Sequence, residues 1–191
     1  MQALFKIIRR FTVPPVFAAT LLVTVFLVFP EYYGSPLHLV GGLFFLSLLP
    51  TLAYPLQKYI PRFRDRGREG QRSLAMLFSF SGYLLGMALS LLTRAPRPLL
   101  ALYLAYLLCG IGMLVLNKLL GIKASGHACG IVGPIILLYY FGLALPATIG
   151  LLLVIPVFIS SIQTKQHTAP QLAYGSMIPA VFVTMAYLVF I

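Results

Sequence analysis

Two of the chain's three histidines, His127 and His167, stand at the edge of apolar runs, each beside residues able to hold an oxyanion. In KASGHACG, residues 123–130, Ser125 can cap a helix start, Gly126 lets a ligand approach the backbone, and Lys123 supplies a point charge. A helix N-terminus offers unpaired N–H groups and the positive end of the helix dipole, which together bind phosphate-like anions. In KQHTAPQ, residues 165–171, Pro170 suits a first helical turn and Thr168 can cap. His167 and Gln171 are four apart and share a face if that helix begins early enough. Gln171 would then accept a hydrogen bond from one ring nitrogen of His167 and leave the other as a nucleophile. A third segment, RFRDRGREGQR at 62–72, carries five arginines and two acids. It reads mainly as a solvated loop against anionic headgroups, with Arg66 and Arg68 as secondary phosphate ligands. Arg72 adjoins an apolar run, where its guanidinium can turn inward and grip phosphate bidentately. Each segment alone fits a plain capped helix start or a polar loop equally well; phosphoryl chemistry requires the three to meet.

Helices crossing a bilayer would have to position them. Of the 191 residues, 60% are hydrophobic and 9% charged, with a mean hydropathy of +0.97, which excludes an ordinary soluble domain. The apolar residues come in blocks near the ~20 residues that span a bilayer core. The expectation is a single all-α domain over 1–191, a polytopic transmembrane helical bundle with spans near 12–30, 36–55, 73–92, 99–116, 128–145, 147–163 and 170–190. The sixth is set apart from the fifth only by Pro146, so six spans plus a re-entrant element is the alternative to seven. Lys6, Arg9 and Arg10 precede the first block as they would in a signal peptide, but the run continues to Phe29 without a small-residue cleavage site, which favours an uncleaved span. Cys109 and Cys129 read as small buried hydrophobes, and His38 as an interfacial histidine.

A net charge of +11 suggests anionic partners, and its distribution favours lipid over nucleic acid. With alternating spans, twelve basic residues fall on the face that holds the three segments and only Arg94 and Arg97 on the other. Setting aside Arg66, Arg68, Arg72, Lys123 and Lys165 as possible phosphate ligands still leaves seven against two. The motif loops are therefore expected on the cytoplasmic side.

Taken in order, the three segments resemble the type 2 phosphatidic acid phosphatase superfamily, whose pattern is Lys-x6-Arg-Pro, Pro-Ser-Gly-His and Ser-Arg-x5-His-x3-Asp. ASGH matches the second element through Ser125, Gly126 and His127. Lys123 to Ala128 and HTAPQ are similar to the Lys-x-Ser-x-His-Ala and His-Thr-x-x-Gln elements of a small, divergent bacterial and archaeal membrane branch. The resemblance covers about 62–176. The sequence departs from the pattern where Asp65 holds the place of the lysine, Ser73 that of the proline, Ser161 that of the arginine and Gln171 that of the acid. Lys165 can substitute for that arginine.

The resemblance implies a metal-independent phosphatase, without cofactor, in a prokaryotic inner or plasma membrane. His167 would be the nucleophile forming a phosphohistidine, His127 the general acid, and Gln171 the residue orienting His167. Arg72, Lys123, Lys165 and the Ser125 and Gly126 amides would hold the phosphoryl oxygens. The substrate would be a lipid phosphate or prenyl diphosphate with its tail in the bilayer. With only Glu31, Asp65 and Glu69 as acids, no carboxylate cluster suits a metal. The alternatives are a non-catalytic anionic-lipid-binding or transport protein with a degraded site, and a structural membrane subunit. Transport has little behind it, because the expected spans carry no charge to mark an ion path.

Overall fold

The computed structural model describes residues 12–190. Lys6, Arg9 and Arg10 lie outside them. Seven apolar helices follow one another among the described residues: α1 Pro14–Val28, α2 Pro36–Tyr59, α3 Gly67–Leu92, α4 Arg97–Leu119, α5 Gly126–Tyr140, α6 Ala144–Gln163 and α7 Ala169–Phe190. Five are long and apolar enough to cross a membrane, whereas α1 and α5 have 15 residues each. Large apolar side chains of α6, among them Leu151, Leu152 and Ile155, point outward, as they do where lipid is the solvent. An all-α bundle of membrane-crossing helices is the architecture.

The most buried of the five long helices is α4, packed against α3 and α7, while α5 sits among α1, α6 and α7. Leu22 of α1, Leu102 of α4 and Ile131 of α5 are fully buried in the shared core. Between α2 and α3 the contact runs backbone to backbone. A π-helical stretch at Leu43–Leu48 brings the Phe45 carbonyl so close to Gly82 that a Cβ there would lie 2.3 Å from the oxygen.

Two boundaries differ from expectation. Pro146 does not divide the fifth and sixth helices; it lies in the first turn of α6, where a missing N–H costs nothing. The break comes earlier, at Gly142, whose φ of +76° ends α5. Gly142 N–H donates to the Tyr139 carbonyl (3.0 Å) and Leu143 N–H to that of Leu138 (2.9 Å), the paired bonds of a Schellman motif. The arginine-rich segment is not a loop. Pro61–Arg64 forms a helical turn, and α3 begins at Gly67 rather than at residue 73. Gln57 Nε2 holds this corner by donating to the carbonyls of Phe63 (3.0 Å) and Gly67 (2.8 Å).

Arg72 near the start of α3, Gly126 at the start of α5 and His167 just before α7 line one common space, so these starts share one end of the bundle. At the far end His38 bridges the Tyr33 carbonyl, to which its Nδ1 donates, and Thr93 Oγ1, 2.8 Å from its Nε2, tying α2 to the end of α3.

Candidate functional site

At 15 residues, α5 covers about 22 Å at 1.5 Å per residue, short of a bilayer core of about 30 Å. Its first turn is sunk beside the longer α7. Gly175, six residues into α7, lies directly against the Ser125 carbonyl: a Cβ there would come within 2.3 Å of that oxygen. The beginning of α5 therefore lies about 9 Å below the start of α7. Only glycine permits this approach, and it brings the two histidine segments together.

Gln171 joins them. Its backbone carbonyl accepts from Ser125 N–H (2.9 Å), and its side-chain Oε1 faces His167 Nδ1 (3.3 Å) and Thr168 N–H (3.4 Å). The second contact has the form of a capping box, with Thr168 before the first turn and Gln171 reaching back to its amide. The expected His167 to Gln171 contact is present, but for a different reason. Because α7 begins at Ala169, His167 lies outside the helix and shares no helical face with Gln171; the reach-back of the cap makes the contact. His167 N–H in turn points to the Ser161 carbonyl (3.3 Å), and Ser161 is fully buried.

Ser125 caps α5, its Oγ accepting from Ala128 N–H (3.2 Å). With its own N–H given to Gln171 and its side chain fully buried, Ser125 holds the segment in place and offers no amide to a phosphate. Gly126 is exposed and His127 half-buried. Asn117, within a π-helical end of α4, steadies the approach to α5: its Nδ2 donates to the Met113 carbonyl (2.9 Å) and its Oδ1 accepts from Ala124 N–H (3.0 Å). An asparagine inside the apolar run LVLNKLLG was the signal for it.

A cavity of about 460 Å³ opens here, and Arg72, Asn117, Ala124, Gly126, His127 and His167 are among the residues that line it. Three residues from three separate segments thus meet around one space. Lys123 and Lys165 stand exposed beside it without lining it. Arg66 is engaged elsewhere, its Nη2 donating to Glu69 Oε1 at 2.6 Å. Arg68 borders a separate depression of about 180 Å³ together with Tyr54, Gln71, Arg72 and Gln166. Among the described residues no three His, Cys, Asp or Glu side chains gather as a metal ion would require.

Lys165 has φ of +52°. Its N–H donates to the Ile162 carbonyl (2.9 Å) and that of Gln166 to Ser161 (3.0 Å), again a Schellman motif closing a helix. Glycine normally fills that position; here a lysine does, two residues before His167.

The fold and site define a membrane protein with a cavity lined by the Arg72 guanidinium and two imidazoles. No protein-family model, curated protein or solved structure matches the chain.

Proposed function

We propose that this protein is an integral-membrane phosphatase that hydrolyses a lipid phosphate or prenyl diphosphate through a phosphohistidine on His167. The convergence of His127, His167 and Arg72 on one cavity carries the proposal. With the Nδ1 proton turned toward Gln171 Oε1, the ring's lone pair is on Nε2, the nitrogen that attacks phosphorus. As the Nε2–P bond forms, the P–O bond to the leaving group breaks, and His127 in its protonated form delivers a proton to the departing oxygen. Water then attacks the phosphohistidine, giving its proton to His127 as the P–Nε2 bond breaks, so that inorganic phosphate leaves and both histidines return to their starting states.

Arg72 holds two phosphoryl oxygens through its planar fork, Gly126 presents its amide at the helix start, and Lys123 and Lys165 close on the anion from outside. The left-handed Lys165 supports this role, because strained residues persist where a site uses them. The motif loops face the cytoplasm under the charge rule, within a bundle of six or seven spans.

The test is phosphate release from farnesyl diphosphate, phosphatidic acid and undecaprenyl diphosphate, with chelator present. His167→Ala and His127→Ala proteins should keep their monodisperse elution and release none. Normal turnover by His167→Ala would end the proposal.

A second reading follows from Gln171. A neutral amide orients imidazole without compensating its charge, which suits a protein that binds an anionic lipid and does not cleave it. Purified protein that retains phospholipid but hydrolyses none of the panel would favour that reading.

A further inference from the structure

Below the histidines the cavity continues into the bundle. Its wall follows α3 from Arg72 to Tyr83, α4 from Asn117 to Ala105, and α5 from Gly126 to Leu137. At 1.5 Å per residue these stretches reach about 16–18 Å inward. All three helices agree on the depth, so the space is a shaft whose lining includes Ala105, Leu137 and Val183, each buried. Beneath the mouth its lining is aliphatic, aromatic and thiol apart from the Ser79 hydroxyl, with no charged side chain.

Size selects the occupant. An apolar cavity of about 150 Å³ takes one benzene ring, so 460 Å³ takes roughly three such rings, about 18 non-hydrogen atoms. That fits a phosphate with one chain of farnesyl-like length. Two long acyl chains, or an undecaprenyl chain, exceed it about two- to threefold.

The geometry points to a chain-binding shaft for a single-chain lipid phosphate: the hydrocarbon enters the bundle and the phosphate stops against Arg72, His127 and His167. The headgroup end rests on the phosphatase proposal; the shaft does not. A tail lodged inside the protein also replaces the expectation that it stays in the bilayer. The shared chemistry is one hydrocarbon chain carrying a phosphate, from a prenyl or a saturated alkyl source.

Cys109 and Cys129 are free thiols lining the shaft, and they report its occupancy. In phosphatidylcholine nanodiscs, alkylation of both by N-ethylmaleimide is followed by intact mass with farnesyl phosphonate, dodecyl phosphonate, dioleoyl phosphatidic acid or inorganic phosphate present. A single-chain phosphonate at ten times its Kd should slow labelling about tenfold, whereas the two-chain lipid and inorganic phosphate leave it unchanged. Protection by the farnesyl compound alone assigns a prenyl chain; protection by both assigns chain shape irrespective of source.

Gly133 lines the shaft, and a Cβ there meets only Pro179 Cβ at 3.5 Å, an ordinary contact. Gly133→Leu should shorten the shaft, so that geranyl phosphonate still protects and farnesyl phosphonate loses about tenfold in affinity. Gly133→Ala, with the smaller volume, should show the same trend if the larger variant does not fold. Equal protection by dioleoyl phosphatidic acid, or phosphate release from farnesyl phosphate without thiol protection, would overturn the shaft. Protection without hydrolysis of any substrate would refute the phosphatase and leave the shaft standing.

Discussion

Replacing Lys165 by glycine should make the protein more stable and less active. At φ of +52° an L-residue in the left-handed region carries a penalty of about 1–2 kcal/mol. Glycine has none there, but loses more chain entropy on folding, about 0.5–1 kcal/mol. The hydrogen bonds from residues 165 and 166 to the end of α6 are backbone bonds and survive the change. The net gain is therefore about 0.5–1 kcal/mol, which for a chain of this length raises Tm by about 1–4 °C. Loss of the helical circular-dichroism signal on heating reads this change. Activity moves the other way. An ammonium about 4 Å from an oxyanion in water is worth about 1 kcal/mol, or about fivefold in kcat/KM. Lys165→Arg keeps both the charge and the backbone penalty and should change neither quantity much. A lower Tm in Lys165→Gly would refute the strain argument, and unchanged kcat/KM at a raised Tm would remove Lys165 from the phosphate site.

Three further outcomes follow from the same geometry. Gly175→Ala puts a methyl group against the Ser125 carbonyl; the overpacking should cost about 1–3 kcal/mol and separate the histidine segments, seen as a lowered Tm together with lost phosphate release. Asn117→Ala removes the acceptor for Ala124 N–H at about 0.5–1.5 kcal/mol, and kcat should fall more than the melting temperature. Gln171→Glu keeps the acceptor for Thr168 N–H and adds the negative charge that a phosphohistidine cycle uses at Nδ1; phosphate release should rise, and a fall with the fold intact would count against His167 as nucleophile.

Much of this arrangement is legible in the residues, and the exceptions have physical causes. Hydropathy finds the part of a helix that lipid covers, so the start of α3 at Gly67, where Arg, Glu and Gln are mixed with the glycines Gly67 and Gly70, stays invisible. Pro146 looked like a break because proline ends most helices, yet a first turn tolerates it, and the punctuation lay in Gly142 four residues earlier. Spacing by four placed His167 opposite Gln171 on a helix; the contact arises from a cap, which a four-residue spacing serves equally well. The meeting of the histidine segments depends on Gly175 and on the Gln171 carbonyl. Neither has a local signature, because both act through a neighbour distant in sequence. Basic residues near a motif were equally ambiguous: Arg66 is drawn to Glu69 three positions on, while Arg72 reaches the cavity.

The central claim is that the phosphoryl group passes through His167. Wild-type protein turning over a phosphorus-labelled single-chain lipid phosphate, quenched in alkali and digested, should yield a labelled peptide carrying phosphate on His167, and His167→Ala should yield neither that peptide nor free phosphate. Full turnover by His167→Ala, or label on any other residue, would contradict it.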